Sequence, residues 1–453
     1  MSILNRYVPF LRFGRKDKDA ASAPTTAFPP SPPDTPPRSA LPTAEPAAFD
    51  LVHAAEALLE NAKRLESAEA ADQENLRRMI AMSAKKITSE TMPAMDALML
   101  EWLSLCEISA WRLFMEWKAF DHIPVGGSIS TSDLAKALDA QESLVARIAN
   151  FLVATGRLQL GEKPGHIRHS RISPLYMSSH PVSDLNAVAL GNGFKSWLAW
   201  PEYFKKYGRR EAPDVTNTPF SFAWGHPELP PWEVKALYPE YAAQFARTMK
   251  SRKIVGGDMK LVGPEALFDF SWLGAEAKTR TSGQPVVVDV GGGMGQLLKD
   301  VLMAIPGVSA KQCVLQDRKE VLEEAAAAGD PVLKEVVMME HDFHTAQPVK
   351  GASVYFLRRI LLDYPDALAV GILRQLAHAL PADNPKARIV IMEEQLLTPP
   401  TPQNRNVDMM MLSLGGKLRD EWGMRDIASQ AGLSVRYHAR PGNPTCVVEC
   451  WRA

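Results

Sequence analysis

The segment Pro285-Val-Val-Val-Asp-Val-Gly-Gly-Gly-Met-Gly295 reads as a buried strand that ends in a glycine-rich turn before a helical stretch, Gln296 to Met303. Glycine at Gly291 and Gly293 lets the main chain take left-handed conformations and lets a ligand approach it closely. The spacing is GGGxG and not the GxGxxG of dinucleotide-binding turns. Asp289, just ahead of the turn, would repel a pyrophosphate but suits the ammonium group of an amino-acid-like cofactor. A second strand-like run, Gln312 to Gln316, ends in Asp317, where a carboxylate can accept both hydroxyls of a ribose. A third segment ends in Glu340-His-Asp-Phe-His344, with Asp342 placed to accept an adenine amino hydrogen and Phe343 to flank the ring. Any one of these acids reads equally well as a helix cap, but three on successive strand ends point to a single nucleoside-bearing cofactor.

Strand ends can converge only if a sheet aligns them. From Gln284 onward, strand-like and helix-like segments alternate, the pattern of a parallel sheet wrapped by helices, so residues 271–453 are expected to form a Rossmann-like α/β domain. A chain of 453 residues exceeds what one core usually organises. Residues 1–46 read as a tail, dominated from about Ala20 by Pro, Ala, Ser and Thr, too poor in apolar groups to offset the entropy of ordering. Residues 47–180 read as a mainly helical dimerisation domain. Helical spacing recurs over Phe49–Leu65 and Asn75–Ile87, then over a long apolar helix, Leu98–Trp117. Helices Asp133–Leu138 and Glu142–Thr155 follow, the first capped by Thr131 or Ser132, and a hairpin runs through Leu158–His166. That order is a winged helix. Its would-be recognition helix offers only Arg147 as a cation, so packing on a second subunit is expected and nucleic acid is not. Residues 181–270 are a helical, aromatic-rich connector, where Thr218–Gly225 reads as a loop presenting Phe220 and Trp224 to a pocket.

Composition sets outer limits. Fifty-one Lys and Arg against 52 Asp and Glu leave no field that would draw the chain to a polyanion. Four cysteines, Cys106, Cys313, Cys446 and Cys450, are too few and too scattered for a disulfide framework or a metal centre, so no metal and a reducing cytosolic setting are expected. Cys446 and Cys450 should share one face of a terminal strand. No run of about twenty apolar residues suggests a membrane span. The first eighteen residues mix apolar and basic groups as a surface-binding or transit segment would, although Pro9 and Gly14 interrupt any long amphipathic helix there.

Five stretches carry a family resemblance: VDVGGGMG at 288–295, LQDRKEV at 315–321, HDF at 341–343, LRRILLDYPD at 357–366 and GGKLRDEW at 415–422. Over roughly residues 95–453 the chain resembles the plant and fungal cation-independent O-methyltransferases that carry a winged-helix dimerisation domain. The resemblance implies a class I methyltransferase fold, S-adenosylmethionine as cofactor, and a homodimer. It also implies that Arg358 contacts the cofactor carboxylate and that Tyr364, at a position usually Trp, packs on adenine.

Two departures from the family bear on chemistry. The family carries a histidine immediately before the aspartate of the fourth stretch, where it removes the acceptor's proton; here the residue is Leu362. The glutamate that orients this histidine, after Gly-Gly-Lys, is replaced by Leu418, while Glu394 or its neighbour Glu393 remains as a second carboxylate. Loss of a positioned base typically costs about a hundredfold to ten-thousandfold in rate. The expectation drawn here is a natural-product tailoring enzyme, acting on polyketide-type substrates, that binds the cofactor without using its methyl group. Such enzymes, known from the fungal pericyclase branch of the family, catalyse ring closure or dehydration beside a fixed sulfonium charge. A methyltransferase acting on an acidic phenol or enol is the alternative, and a non-catalytic cofactor-binding subunit the third. Asp363, Arg359 and Lys417 are the candidate polar catalytic groups, and Phe220, Trp224, Leu362, Met410 and Leu418 the candidate pocket wall.

Overall fold

The computed structural model describes residues 49–250, 266–280 and 284–453; the N-terminal basic-apolar segment and the Pro/Ala-rich tail expected over 1–46 lie outside them. The chain divides into two compact units, one ending at Glu90 and the other running from Thr91 to Ala453. This break falls inside the stretch read from sequence as one module, 47–180. The changes of element type near 180 and 270 lie within the second unit.

The first unit contains the helix Leu51–Ser67 and most of the helix Ala70–Thr91. Asp50 caps the former, its Oδ1 accepting from His53 N at 3.0 Å, and satisfies one of the first-turn donors.

In the second unit, the helices Ala94–Glu116, Thr131–Ala137 and Glu142–Ala154 pack on a small sheet of β1 (Ile129–Ser130), β3 (His166–His169) and β2 (Leu158–Leu160), in that order. Val145, Ala149 and Leu152, at helical spacing, join Phe114, Leu134, Leu158 and Ile167 in one buried cluster. The cap of the second helix differs from expectation. Ser130 Oγ, not Thr131 or Ser132, accepts from Asp133 N at 3.0 Å, because β1 hands the chain directly into the helix. Thr218–Gly225 also differs, forming the short helix Pro219–Ala223 and not a loop. Thr218 caps it, with Oγ1 accepting from Ser221 N at 3.1 Å, and Pro219 occupies a first-turn position where no N–H is needed.

The large sheet has the order β6-β5-β4-β7-β8-β10-β9. β4 (Val287–Val290), β5 (Cys313–Asp317), β6 (Val337–Glu340), β7 (Val354–Arg358) and β8 (Arg388–Glu394) run parallel; β10 (Thr445–Arg452) is antiparallel to both β8 and β9 (Leu433–Ala439). Both faces are covered. Val288, Leu357, Ile391 and Val448 pack on one side and Val287, Leu315, Phe356 and Val390 on the other, so the central strands are apolar throughout instead of alternating. Cys446 and Cys450 lie buried on the first of these faces together, as the alternation of β10 requires. The sheet grows outward from β4 through β5 on one side and β7 on the other, and the crevice at the carboxyl ends of such strands is where this architecture binds ligands. Among the described residues no helix is long and apolar enough to cross a membrane.

Candidate active site

The β4 end supplies Asp289 and the glycine turn. Asp289 is almost fully buried, and its Oδ2 has no hydrogen-bond partner. Burial pushes its carboxyl up to about 7, against the pull of Arg358 and with a push from Asp317. Gly291 and Gly293 take φ of 67° and 58°, the left-handed region. Gly291 N and Gly292 N both donate to Gln316 O, at 2.8 and 3.1 Å, which ties the turn to β5. A Cβ on Gly292 would collide with the Asp289 carboxyl, while one on Gly293 would meet open space. The turn is thus closed against the sheet and open outward, the shape that lets a ligand reach the backbone.

Asp317, the last residue of β5, accepts from Gly293 N through Oδ2 at 2.9 Å and from Arg318 N through Oδ1 at 2.8 Å. It therefore shapes the glycine turn as well as facing the crevice. At the β6 end Asp342 Oδ1 accepts from His344 N at 2.9 Å, folding the 341–345 segment. That fold brings three rings together: Phe343 and His344 at 4.9 Å, His344 and Tyr364 at 4.9 Å, and Phe343 and Tyr364 at 5.9 Å edge-on. Phe343 also reaches the glycine turn, 3.5 Å from where a Gly291 Cβ would stand. At the β7 end the Arg358 guanidinium is half-buried, and burial together with the neighbouring Arg359 lowers its proton affinity, against the smaller pull of Asp289 and Asp300. The cofactor-side residues Asp289, Gly291, Gly293, Asp317, Asp342, Phe343, Arg358 and Tyr364 are all placed around this one crevice.

The turn after β7 is held from two sides. Glu393 Oε1 accepts from Ile360 N at 2.9 Å and Leu361 N at 2.8 Å, so it is Glu393, not Glu394, whose side chain reaches the turn. Burial raises the Glu393 carboxyl to about 8, against the pull of the Leu361 N–H. Opposite it, Arg419 donates Nη1 to Leu361 O and Nη2 to Tyr364 O, both at 2.8 Å, and Nε to Asp366 Oδ1 at 2.9 Å. Lys417 Nζ lies between Asp366 at 3.2 Å and Glu211 at 3.1 Å. The three candidate polar groups lie on adjoining stretches of main chain, since Lys417 N donates to Leu362 O at 2.9 Å. Lys417 sits in an ion pair beside Arg419, Arg359 adopts a left-handed φ of 54° with its N bonded to Met392 O, and Asp363 is exposed at the end of the 361–363 turn.

The pocket-wall candidates do converge. Phe220, Leu362, Leu418 and Met411 share one buried cluster, with Trp224 and Met410 packed against it. Sequence reasoning passed over Lys235, which lies on the helix Pro231–Ala236 with Nζ 4.0 Å from the Phe245 ring centroid and 5.4 Å from that of Phe220. The available signal was its spacing of three from Trp232, which puts both on one helical face.

A sequence profile of the O-methyltransferase domain matches residues 204–434. Methyltransferase cfoD of Aspergillus candidus is 36% identical over 397 residues, 86% of this chain and 96% of that protein. The chain belongs to the O-methyltransferase family. Solved structures agree in fold. OxaC superposes with a TM-score of 0.74 at 18% identity, over 89% of this chain and 99% of that one. LepI in complex with SAM gives 0.68 at 22%, over 88% and 98%.

As in the family at large, the cofactor is S-adenosylmethionine, and the residues present fit it. The unpaired Asp289 oxygen offers an acceptor to a cationic group, Gly293 leaves the backbone bare, and the ring trio offers a stacking surface. A pH dependence follows. An ammonium beside Asp289 favours the carboxylate, so binding must displace the proton that the carboxyl carries below about pH 7. Affinity measured by calorimetry is expected to hold above that pH and to fall below it, by up to about tenfold per unit. An affinity independent of pH across that range would separate Asp289 from the cofactor.

Proposed function

We propose that the chain transfers a methyl group to an acidic heteroatom of a small polyketide-type natural product, an enol or phenol whose anion is already populated near neutral pH. The observation that carries this reading is the burial of Leu362 and Leu418 in one cluster with Phe220. The two positions at which the family resemblance puts a general base and its partner are apolar wall, and an acceptor that arrives ionised needs neither. The bound cofactor supplies an electrophilic methyl carbon on a positively charged sulfur. The chain's own part is to hold the nucleoside on Asp317 and the ring trio, to keep water out with Phe220, Trp224 and Met410, and to orient the acceptor. The full-length similarity to cfoD, named a methyltransferase, supports methylation. The test is a panel of acceptors of graded acidity. Enols and phenols ionised at neutral pH should be methylated, and ordinary phenols about a hundredfold or more slowly. Equal rates across the panel would sink the reading.

The same two leucines favour a second reading, ring closure or dehydration in a dry pocket beside a fixed charge, with no methyl transfer. The helix–sheet module over 94–169 is read as a winged helix that pairs with a second copy in the cytosol. Its helix Ala94–Glu116 leaves Met95, Met99, Trp102 and Leu105 exposed within the chain, an apolar face that a homodimer would cover. A monomer in sedimentation at micromolar concentration would remove that pairing.

A further inference from the structure

Lys235 brings a charge to a largely aromatic wall, on which Lys195 also stands, its Nζ 3.6 Å from the Trp224 ring centroid. The Lys235 ammonium is held by ring faces, those of Phe245 and Phe220, and among the described residues it makes no hydrogen bond or ion pair. Phe220 belongs to the cluster that contains Leu362 and Leu418. One turn earlier on the same helix, Trp232 lies 6.4 Å ring to ring from Tyr364, which sets this helix against the turn after β7. Lys235 therefore stands between the aromatic wall and the turn that carries Leu362. Of the acids on the packed elements, Glu233 and Glu240 are exposed, and Asp363 is the one whose field acts on Lys235, favouring the charged form. Aromatic faces compensate a desolvated cation only in part. Burial accordingly pushes the amine down to about 8, so near neutral pH it is mostly charged and is readily deprotonated just above.

Resting on the methyltransferase reading, we propose that Lys235 receives the acceptor oxygen, holding an enolate or phenolate against Phe220 and Leu362, so that the pocket selects acceptors that can be anions. An acceptor entering as its anion meets the ammonium directly. One entering as the neutral acid gives its proton to the free amine, which leaves the same ammonium–oxyanion pair. In both cases the oxygen lone pair stays available for the new O–C bond, and no further base is required. Once that bond forms the oxygen is neutral and the pair is lost, which lowers the hold on product. This places at Lys235 the work that a histidine at 362 would otherwise do, from the opposite side of the pocket.

The test uses the full chain with 4-nitrophenol, an acidic phenol whose ionised form absorbs at longer wavelength than the neutral one. At about pH 6 the free probe is mostly neutral, and the wild-type chain is expected to bind it as nitrophenolate, raising the ionised fraction by about tenfold. K235R should preserve this, since it keeps the charge, and K235M should abolish it. Calorimetric cofactor binding by K235M, equal to wild type, establishes that the variant is folded. Wild type binding the probe in neutral form, wild type not binding it at millimolar concentration, or K235M ionising it as well as wild type would each overturn the proposal. The readout needs no methyl transfer, so a failure here is distinguishable from a failure of the methyltransferase reading, which product analysis reports separately.

Discussion

Arg419→Met is expected to destabilise the second unit by about 2–5 kcal/mol, the cost of leaving two buried main-chain carbonyls without donors. Arg419 is only 3% exposed, and its guanidinium satisfies Leu361 O, Tyr364 O and the Asp366 carboxylate at once. Methionine fills similar volume but leaves two main-chain carbonyls of a tight turn without donors. Lys417 still reaches Asp366 in the variant, so the carboxylate is not stranded, and the loss falls mainly on the 361–364 turn. Urea unfolding followed by circular dichroism measures the change. Because the turn carries Tyr364, weaker cofactor binding should accompany the lower stability. Lys417→Met, which removes a more solvated partner, should cost markedly less. Equal losses in the two variants would mean that Arg419 is not the clamp.

Gly291→Ala is expected to weaken cofactor binding by about 1–2 kcal/mol, a loss of roughly fivefold to thirtyfold. A side chain at φ 67° costs about that much in a left-handed turn. The new Cβ would stand 2.7 Å from Ile360 Cδ1, the end of a flexible side chain that must swing aside, and the turn sheds its backbone strain by shifting to a conformation that cofactor binding then has to reverse. Gly351→Ala is the control, with φ 74° and open space around its Cβ. It should lower stability by the backbone cost alone and leave calorimetric affinity for the cofactor unchanged. If Gly291→Ala bound the cofactor as tightly as wild type, the glycine turn would not be part of the site.

The candidate cofactor residues could be picked out in the sequence because their signals are local. A strand, an acid and a glycine turn are contiguous at 285–295, and Asp317 and Asp342 follow at strand ends that composition alone suggests. The choice between Glu393 and Glu394 was not local. It depends on the register of β8, where Ile389 and Ile391 face the core under the 360–361 turn and Val390 and Met392 face the other side. Glu393 continues the first set and is opposite Cys446 on β10. Lys235 was missed for the same reason in stronger form. Its partners Phe220 and Phe245 lie fifteen and ten residues away on other helices, and within Pro-Trp-Glu-Val-Lys only the spacing of three from Trp232 ties the lysine to an aromatic face. The partners of Lys417 were equally out of reach of the motif: its place beside Leu418 suggests the pocket, while its ammonium pairs with Asp366 and Glu211, far away in sequence. Motif adjacency places a backbone, and long-range charge decides where a flexible cation goes.

Methyl transfer by a pocket without a histidine base is measured directly as the yield of S-adenosylhomocysteine against acceptor consumed. Purified full-length chain is incubated with an acidic enol or phenol and cofactor labelled as the trideuteromethyl sulfonium, and both products are followed by mass spectrometry. One equivalent of S-adenosylhomocysteine is expected for each acceptor consumed, with the intact trideuteromethyl group on the product. A product with the acceptor's own mass, or that mass less water, formed while the labelled cofactor remains unconsumed, would contradict it.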